Sequence, residues 1–88
     1  MKPADILVIE DDEQIRRILQ TTLTAERYRV QEACTVAGGT LLATQRYYDA
    51  IILDLSLPDG NGMEVIRKVR QSKKATPIIV LSSCFAES

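Results

Sequence analysis

The sequence predicts an α/β fold built on a parallel sheet. Two observations carry this. Short, β-branched apolar runs alternate with stretches of helical periodicity along the whole chain, and three of those runs, Ile6 to Ile9, Ala50 to Leu53 and Ile78 to Leu81, are apolar at consecutive positions. Consecutive apolar positions mark strands buried on both faces, which is how parallel strands sit under covering helices. Strands that alternate with helices pair in parallel through right-handed crossovers.

Taken in order, Ile6-Leu7-Val8-Ile9 is a first strand closed by Glu10-Asp11-Asp12. From Asp12 onward Ile15, Ile18, Leu19 and Leu23 fall at helical spacing, and the acids at the start suit the positive end of the helix dipole. Arg29-Val30-Gln31-Glu32-Ala33 is polar enough to be an edge strand. Thr35 is placed to cap a second helix carrying Val36, Leu41 and Leu42, in which Gly38 and Gly39 cost about 1 kcal/mol each relative to alanine. Ala50-Ile51-Ile52-Leu53 is a central third strand. Leu57-Pro58-Asp59-Gly60-Asn61-Gly62 is turn chemistry. A third helix with Met63, Val65, Ile66 and Val69 on its buried side follows, and Pro77 opens a fourth strand, Ile78-Ile79-Val80-Leu81.

Composition narrows the chemistry. Eighty-eight residues make one small domain, able to bury roughly 60–70% of its unfolded surface. Eleven Lys and Arg against twelve Asp and Glu leave a net charge of −1, which argues against direct nucleic-acid contact. There is no histidine, so a Ser-His-Asp or Cys-His catalytic group and a His-containing zinc site are excluded. Cys34 and Cys84 lie far apart without CxxC spacing and read as free thiols of a reducing compartment. The longest aliphatic runs are four residues, far short of the roughly 18 a membrane helix needs. The expectation is a cytoplasmic chain with no membrane contact.

The polar residues that end the strands hold the chemistry, because parallel strands put all their carboxyl ends on one edge of the sheet, where ligands bind. Glu10-Asp11 ends the first strand, Asp54 the third and Ser82 the fourth. Each alone reads as a cap or a strand-end polar residue. Together, three carboxylates on one edge repel one another unless a cation sits among them. Mg²⁺, or Mn²⁺, is the fitting ion, since it takes one or two carboxylates and keeps waters. One carboxylate can then act as a nucleophile toward phosphorus, and Asp54, between the other two strand ends, is the candidate. Gly60-Asn61-Gly62 lacks the third glycine of GxGxxG, and no GxxxxGK[ST] is present.

Val8-Ile9-Glu10-Asp11-Asp12, Ile52-Leu53-Asp54-Leu55-Ser56-Leu57-Pro58-Asp59-Gly60-Asn61-Gly62 and Pro77-Ile78-Ile79-Val80-Leu81-Ser82 resemble, in order and across the whole chain, the receiver domain of two-component response regulators. The Leu-Pro-Asp-Gly-x-Gly run and the Arg16-Arg17 pair are similar to regulators that carry a winged-helix DNA-binding domain, the potassium-transport regulators in particular. The resemblance implies a flavodoxin-like three-layer sandwich with strand order 2-1-3-4, one receiver domain over residues 1–88. It implies Asp54 as phosphoacceptor served by a sensor histidine kinase, and Mg²⁺ held by Asp11, Asp54 and the backbone carbonyl of Ser56, with Glu10 helping through a water. Ser82 would be the switch hydroxyl. Such a domain switches an output domain and is not a turnover enzyme. Gly39 and Tyr48 depart from the family's usual alanine and proline. The chain is also expected to lack the family's fourth helix, fifth strand, fifth helix and fifth-strand lysine; Lys73 and Lys74 precede the fourth strand and fall at the opposite edge. That leaves the fourth strand as an exposed apolar edge and implies a homo-oligomer through it. The competing reading is a receiver-like interaction module without productive phosphotransfer.

Overall fold

The computed structural model describes residues 2–81. Four strands, β1 (Asp5–Ile9), β2 (Arg29–Ala33), β3 (Ala50–Asp54) and β6 (Ile78–Leu81), form one parallel sheet in the order β2-β1-β3-β6. This is the order expected. Three helices connect them: α1 (Glu13–Ala25), α2 (Val36–Gln45) and α3 (Met63–Gln71). Between β3 and α3 the turn segment closes into a small antiparallel hairpin of β4 (Ser56–Leu57) and β5 (Gly60–Asn61), which the turn residues announced only as a loop.

Because the chain reverses direction in the sheet after β2, right-handed crossovers place α1 on one face and α2 and α3 on the other. The main core lies under α2 and α3. Leu7 and Ile9 of β1 and Ile51 and Leu53 of β3 share one face by strand alternation and meet Ala43, Val65 and Val69 from the helices. Val65 and Val69 are fully buried, each contributing about 1.5–3 kcal/mol by burial.

Three sequence expectations about helix faces need correction. Met63 is 51% exposed and Leu41 55% exposed. Both lie two positions, or about 200°, from the buried residues of their helices, Val65 on α3 and Gly39 and Ala43 on α2. Ile18 of α1 is also largely exposed, and no α1 residue is fully buried; among the described residues α1 packs chiefly on the edge strand β2.

Helix α2 is held from outside itself. Thr35 caps it as expected, its hydroxyl accepting from the Gly38 N–H at 2.9 Å. The carboxylate of Asp59, at the hairpin tip, accepts from the Val36 and Ala37 N–H groups at 2.6 and 3.0 Å. At the other end the Lys74 ammonium donates to the carbonyls of Ala43, Thr44 and Arg46 at 3.2, 2.9 and 2.9 Å. Lys74 therefore serves the far edge of the sheet, away from the strand-end acids, as its position before β6 implied.

Gly39 is the close contact between α2 and the sheet. A Cβ there would lie 2.7 Å from Ile9 Cδ1, 2.9 Å from its Cγ2 and 3.0 Å from its Cγ1. The helix-propensity cost of this glycine is thus outweighed by the approach it permits. Gly39→Ala, which would stabilise an exposed helix, should here destabilise the fold by about 1–3 kcal/mol. Ile9→Val, which removes the nearest atom, should reduce that loss in the double variant. Thermal denaturation of the four proteins checks this; a higher midpoint for Gly39→Ala alone would refute it.

Candidate functional site

The register of the sheet builds the site. Ile9 of β1 pairs with Leu53 of β3, so the residues that follow them, Glu10-Asp11 and Asp54, leave adjacent strands side by side. Carboxylate oxygens of Glu10, Asp11 and Asp54 all lie within 4.8 Å of one another. Glu10 and Asp54 are buried, with 3% and 5% of their surface exposed, whereas Asp11 is open to solvent.

Of the three acids, Glu10 alone has its carboxylate held by a backbone N–H among the described residues. The Glu10 N–H donates to the Ala33 carbonyl at 3.0 Å, which extends the β1–β2 ladder one residue past the strand. One Glu10 carboxylate oxygen accepts from the Asp12 N–H at 2.9 Å. Asp12 itself is turned to the helix, its Oδ1 accepting from the Gln14 and Ile15 N–H groups. It is the N-cap of α1 and, as a cap, is not part of the acid group. Behind Asp54 the hairpin closes tightly: the Gly62 N–H donates to the Leu55 carbonyl at 2.9 Å. A Cβ at position 62 would meet the Asp54 carbonyl at 2.6 Å and Leu55 Cα at 2.9 Å, so only glycine lets the start of α3 reach the back of the site.

Burial pushes the Glu10 carboxyl above its ordinary value; the Asp12 N–H opposes this, and the charges of Asp54, Asp11 and Asp12 add to it. Asp59 moves the other way, held below the usual range first by the Val36 N–H and then by that of Ala37. Among the described residues no Lys or Arg forms an ion pair with Glu10, Asp11 or Asp54. Three oxygen donors, two of them buried and none neutralised, fit a hard divalent cation of the Mg²⁺ type.

Of the residues singled out from sequence, Glu10, Asp11 and Asp54 are brought together. Ser56 opens β4 two residues beyond Asp54 and is exposed. Ser82 and Cys84 lie outside the described residues. Asp59 and Arg16, both tied to backbone around the site, were not singled out for such roles. Pro-Asp-Gly reads as a turn, and nothing local to it announces a helix cap formed 23 residues away.

The model of the response regulator receiver domain family matches residues 6–87. The KDP operon transcriptional regulatory protein of Escherichia coli K12 is 50% identical over 84 residues, which is 96% of this chain and 37% of that protein. Among solved structures, the non-phosphorylated HemR receiver domain from Leptospira biflexa superposes with a TM-score of 0.85 at 35% identity, covering 93% of this chain and 65% of that one. The receiver domain of a sensor histidine kinase from Pseudomonas aeruginosa, solved with a magnesium ion coordinated in its active site cleft, gives a TM-score of 0.88 at 26% identity, covering 99% and 73%. The chain thus spans little more than a third of the length of this curated relative.

The raised carboxyl of Glu10 has a measurable sign. A carboxyl whose folded value lies above its unfolded one contributes stability while protonated and loses it as pH rises through the folded value. In a chelator, Glu10→Gln should match the parent near about pH 4 and exceed its thermal midpoint near about pH 7. Equal midpoints at both would show that burying this charge costs the fold nothing.

Proposed function

The chain belongs to the response regulator receiver domain family, and from that membership we propose that Asp54 is a phosphoacceptor, charged by a phosphohistidine on a sensor kinase. Receiver domains are phosphoacceptor switch modules of two-component systems. What carries the reading to this chain is the convergence of Glu10, Asp11 and Asp54 at one sheet edge, with Asp54 ending the strand between β1 and β6.

In the proposed reaction a carboxylate oxygen of Asp54 attacks the phosphorus. A new P–O bond forms, the P–N bond to the kinase imidazole breaks, and the imidazole leaves with the electron pair and takes a proton from solvent. Asp11, Asp54 and the Ser56 backbone carbonyl would hold Mg²⁺, with Glu10 contributing through a water. When bound, that ion neutralises charge on the phosphoryl oxygens during transfer. The residues of the chain supply the rest. The β1–β3 register sets Asp54 beside the acid pair, the hairpin fixes the segment from Leu55 to Gly62, and Asp12 is kept out of the site by its capping bonds. Ser82 is the proposed switch hydroxyl, drawn to the phosphoryl group after transfer. Residues 1–88 act as one receiver unit rather than as a turnover enzyme. The whole protein would be cytoplasmic and would control transcription through an output domain; the curated relative above is itself a transcriptional regulatory protein. No helix among the described residues is long and apolar enough to cross a membrane.

We also propose self-association through β6. This strand pairs only with β3 among the described residues, and Ile79 and Val80 are 54% and 41% exposed. An unpaired apolar edge favours strand addition by a second copy.

Incubation with acetyl phosphate and Mg²⁺ should add one phosphoryl group by intact-mass measurement, and Asp54→Asn should abolish it. Labelling retained in Asp54→Asn would mean another carboxylate is the acceptor. Light scattering at micromolar concentration should give a dimer or larger species that Val80→Lys shifts toward monomer; a monodisperse monomer in the parent would defeat the association reading.

A further inference from the structure

The Arg16-Arg17 pair divides its work. Arg17 faces solvent and pairs with Glu13 one turn back at 3.1 Å, with both side chains more than 70% exposed. Arg16 turns inward. Its Nη1 donates to the carbonyl of Glu10 at 3.0 Å and lies 3.4 Å from that of Asp11, while its Nε sits 3.6 Å from Glu32 Oε1 on β2. One guanidinium therefore joins three elements: the strand end that carries two of the acids, the first turn of α1 and the edge strand.

We infer that Arg16 is a positioning residue for the acid site, fixing the backbone of Glu10 and Asp11 so that their carboxylates converge with Asp54. The inference rests on the divalent-cation reading above and assigns to that site a residue that touches neither ion nor phosphoryl group. Three features support it. Asp11 is exposed and, unlike Glu10, accepts no hydrogen bond at its side chain among the described residues, so its placement depends on its backbone. The carbonyls of Glu10 and Asp11 lie beyond the last β1–β2 ladder bond from Glu10 and need donors from elsewhere. A planar guanidinium can address two carbonyls and a carboxylate at once, which a lysine ammonium on a flexible stem does not reproduce.

The electrostatics make the inference decidable, because charge and position act with opposite signs. Removing a cation near a cation site would by charge alone tighten metal binding. Loss of positioning would loosen it. Mn²⁺ affinity of the 88-residue chain is therefore measured by titration calorimetry for the parent, Arg16→Ala, Arg16→Lys and Arg17→Ala, with thermal denaturation of each in a chelator. Arg16→Ala should weaken Mn²⁺ by about tenfold, the scale at which groups that orient metal ligands act. Arg16→Lys, which keeps the charge, should stay well below the parent, and Arg17→Ala should bind as the parent does. Unchanged or tighter binding in Arg16→Ala overturns the inference, as does full recovery in Arg16→Lys. A lowered melting temperature with a parental Mn²⁺ affinity overturns it too, because the residue would then be structural alone. Should Arg16→Ala fail to fold, Arg16→Lys decides by the same criterion. If the parent itself binds no Mn²⁺, the cation reading falls and this inference with it, whereas a parent that binds beside an Arg16→Ala that binds equally well removes this inference only.

Discussion

The alignment of β1 with β3 is the constraint on which everything else in this molecule depends. Pairing Ile9 with Leu53 does two things at once. It stacks the apolar residues of both strands into one core, and it delivers Glu10, Asp11 and Asp54 to a common edge. A shift of one residue would turn each side chain of the strand to the other face of the sheet, ruining the core along with the site. The packing that stabilises the fold and the crowding of like charges that strains it therefore have a single origin. The hydrophobic register is strong enough to hold acids where electrostatics alone would scatter them.

Much of the surrounding structure absorbs the consequences of that crowding. The Asp12 N–H partly offsets the burial of Glu10. Gly62 leaves room for the hairpin to close behind Asp54. Asp59 and Arg16 use charged side chains on backbone groups at the rim of the site, one on helix N–H groups and the other on carbonyls. Charge-assisted bonds of this kind are stronger than neutral ones. They hold the backbone at the ends of α2 and β1, where the regular ladders of helix and sheet stop.

The four long strands and three helices were legible because their signals are local: β-branched runs, helical spacing, a capping Thr35 and the acids before α1. The meeting of Glu10, Asp11 and Asp54 was legible for a topological reason, since parallel strands leave only one edge for their last residues. What escaped was non-local or a matter of angle. Two-residue strands such as β4 and β5 have no periodicity to detect. Asp59 and Lys74 act on a helix that precedes them by many residues. Met63 and Leu41 have the right polarity for a core and the wrong azimuth, and Gly39 looks like a helix defect until Ile9 is placed against it.

The two external ties on α2 carry a consequence for the order of events during synthesis. Ten residues with two glycines make a helix too short to persist alone in water. Its first turn is completed by Asp59 and its last by Lys74, both of which leave the ribosome after it. As the nascent chain grows, residues 36–45 can gain these two ties only after β3, the hairpin and α3 have emerged. The segment that closes over the sheet thus receives its outer caps only from residues made after it.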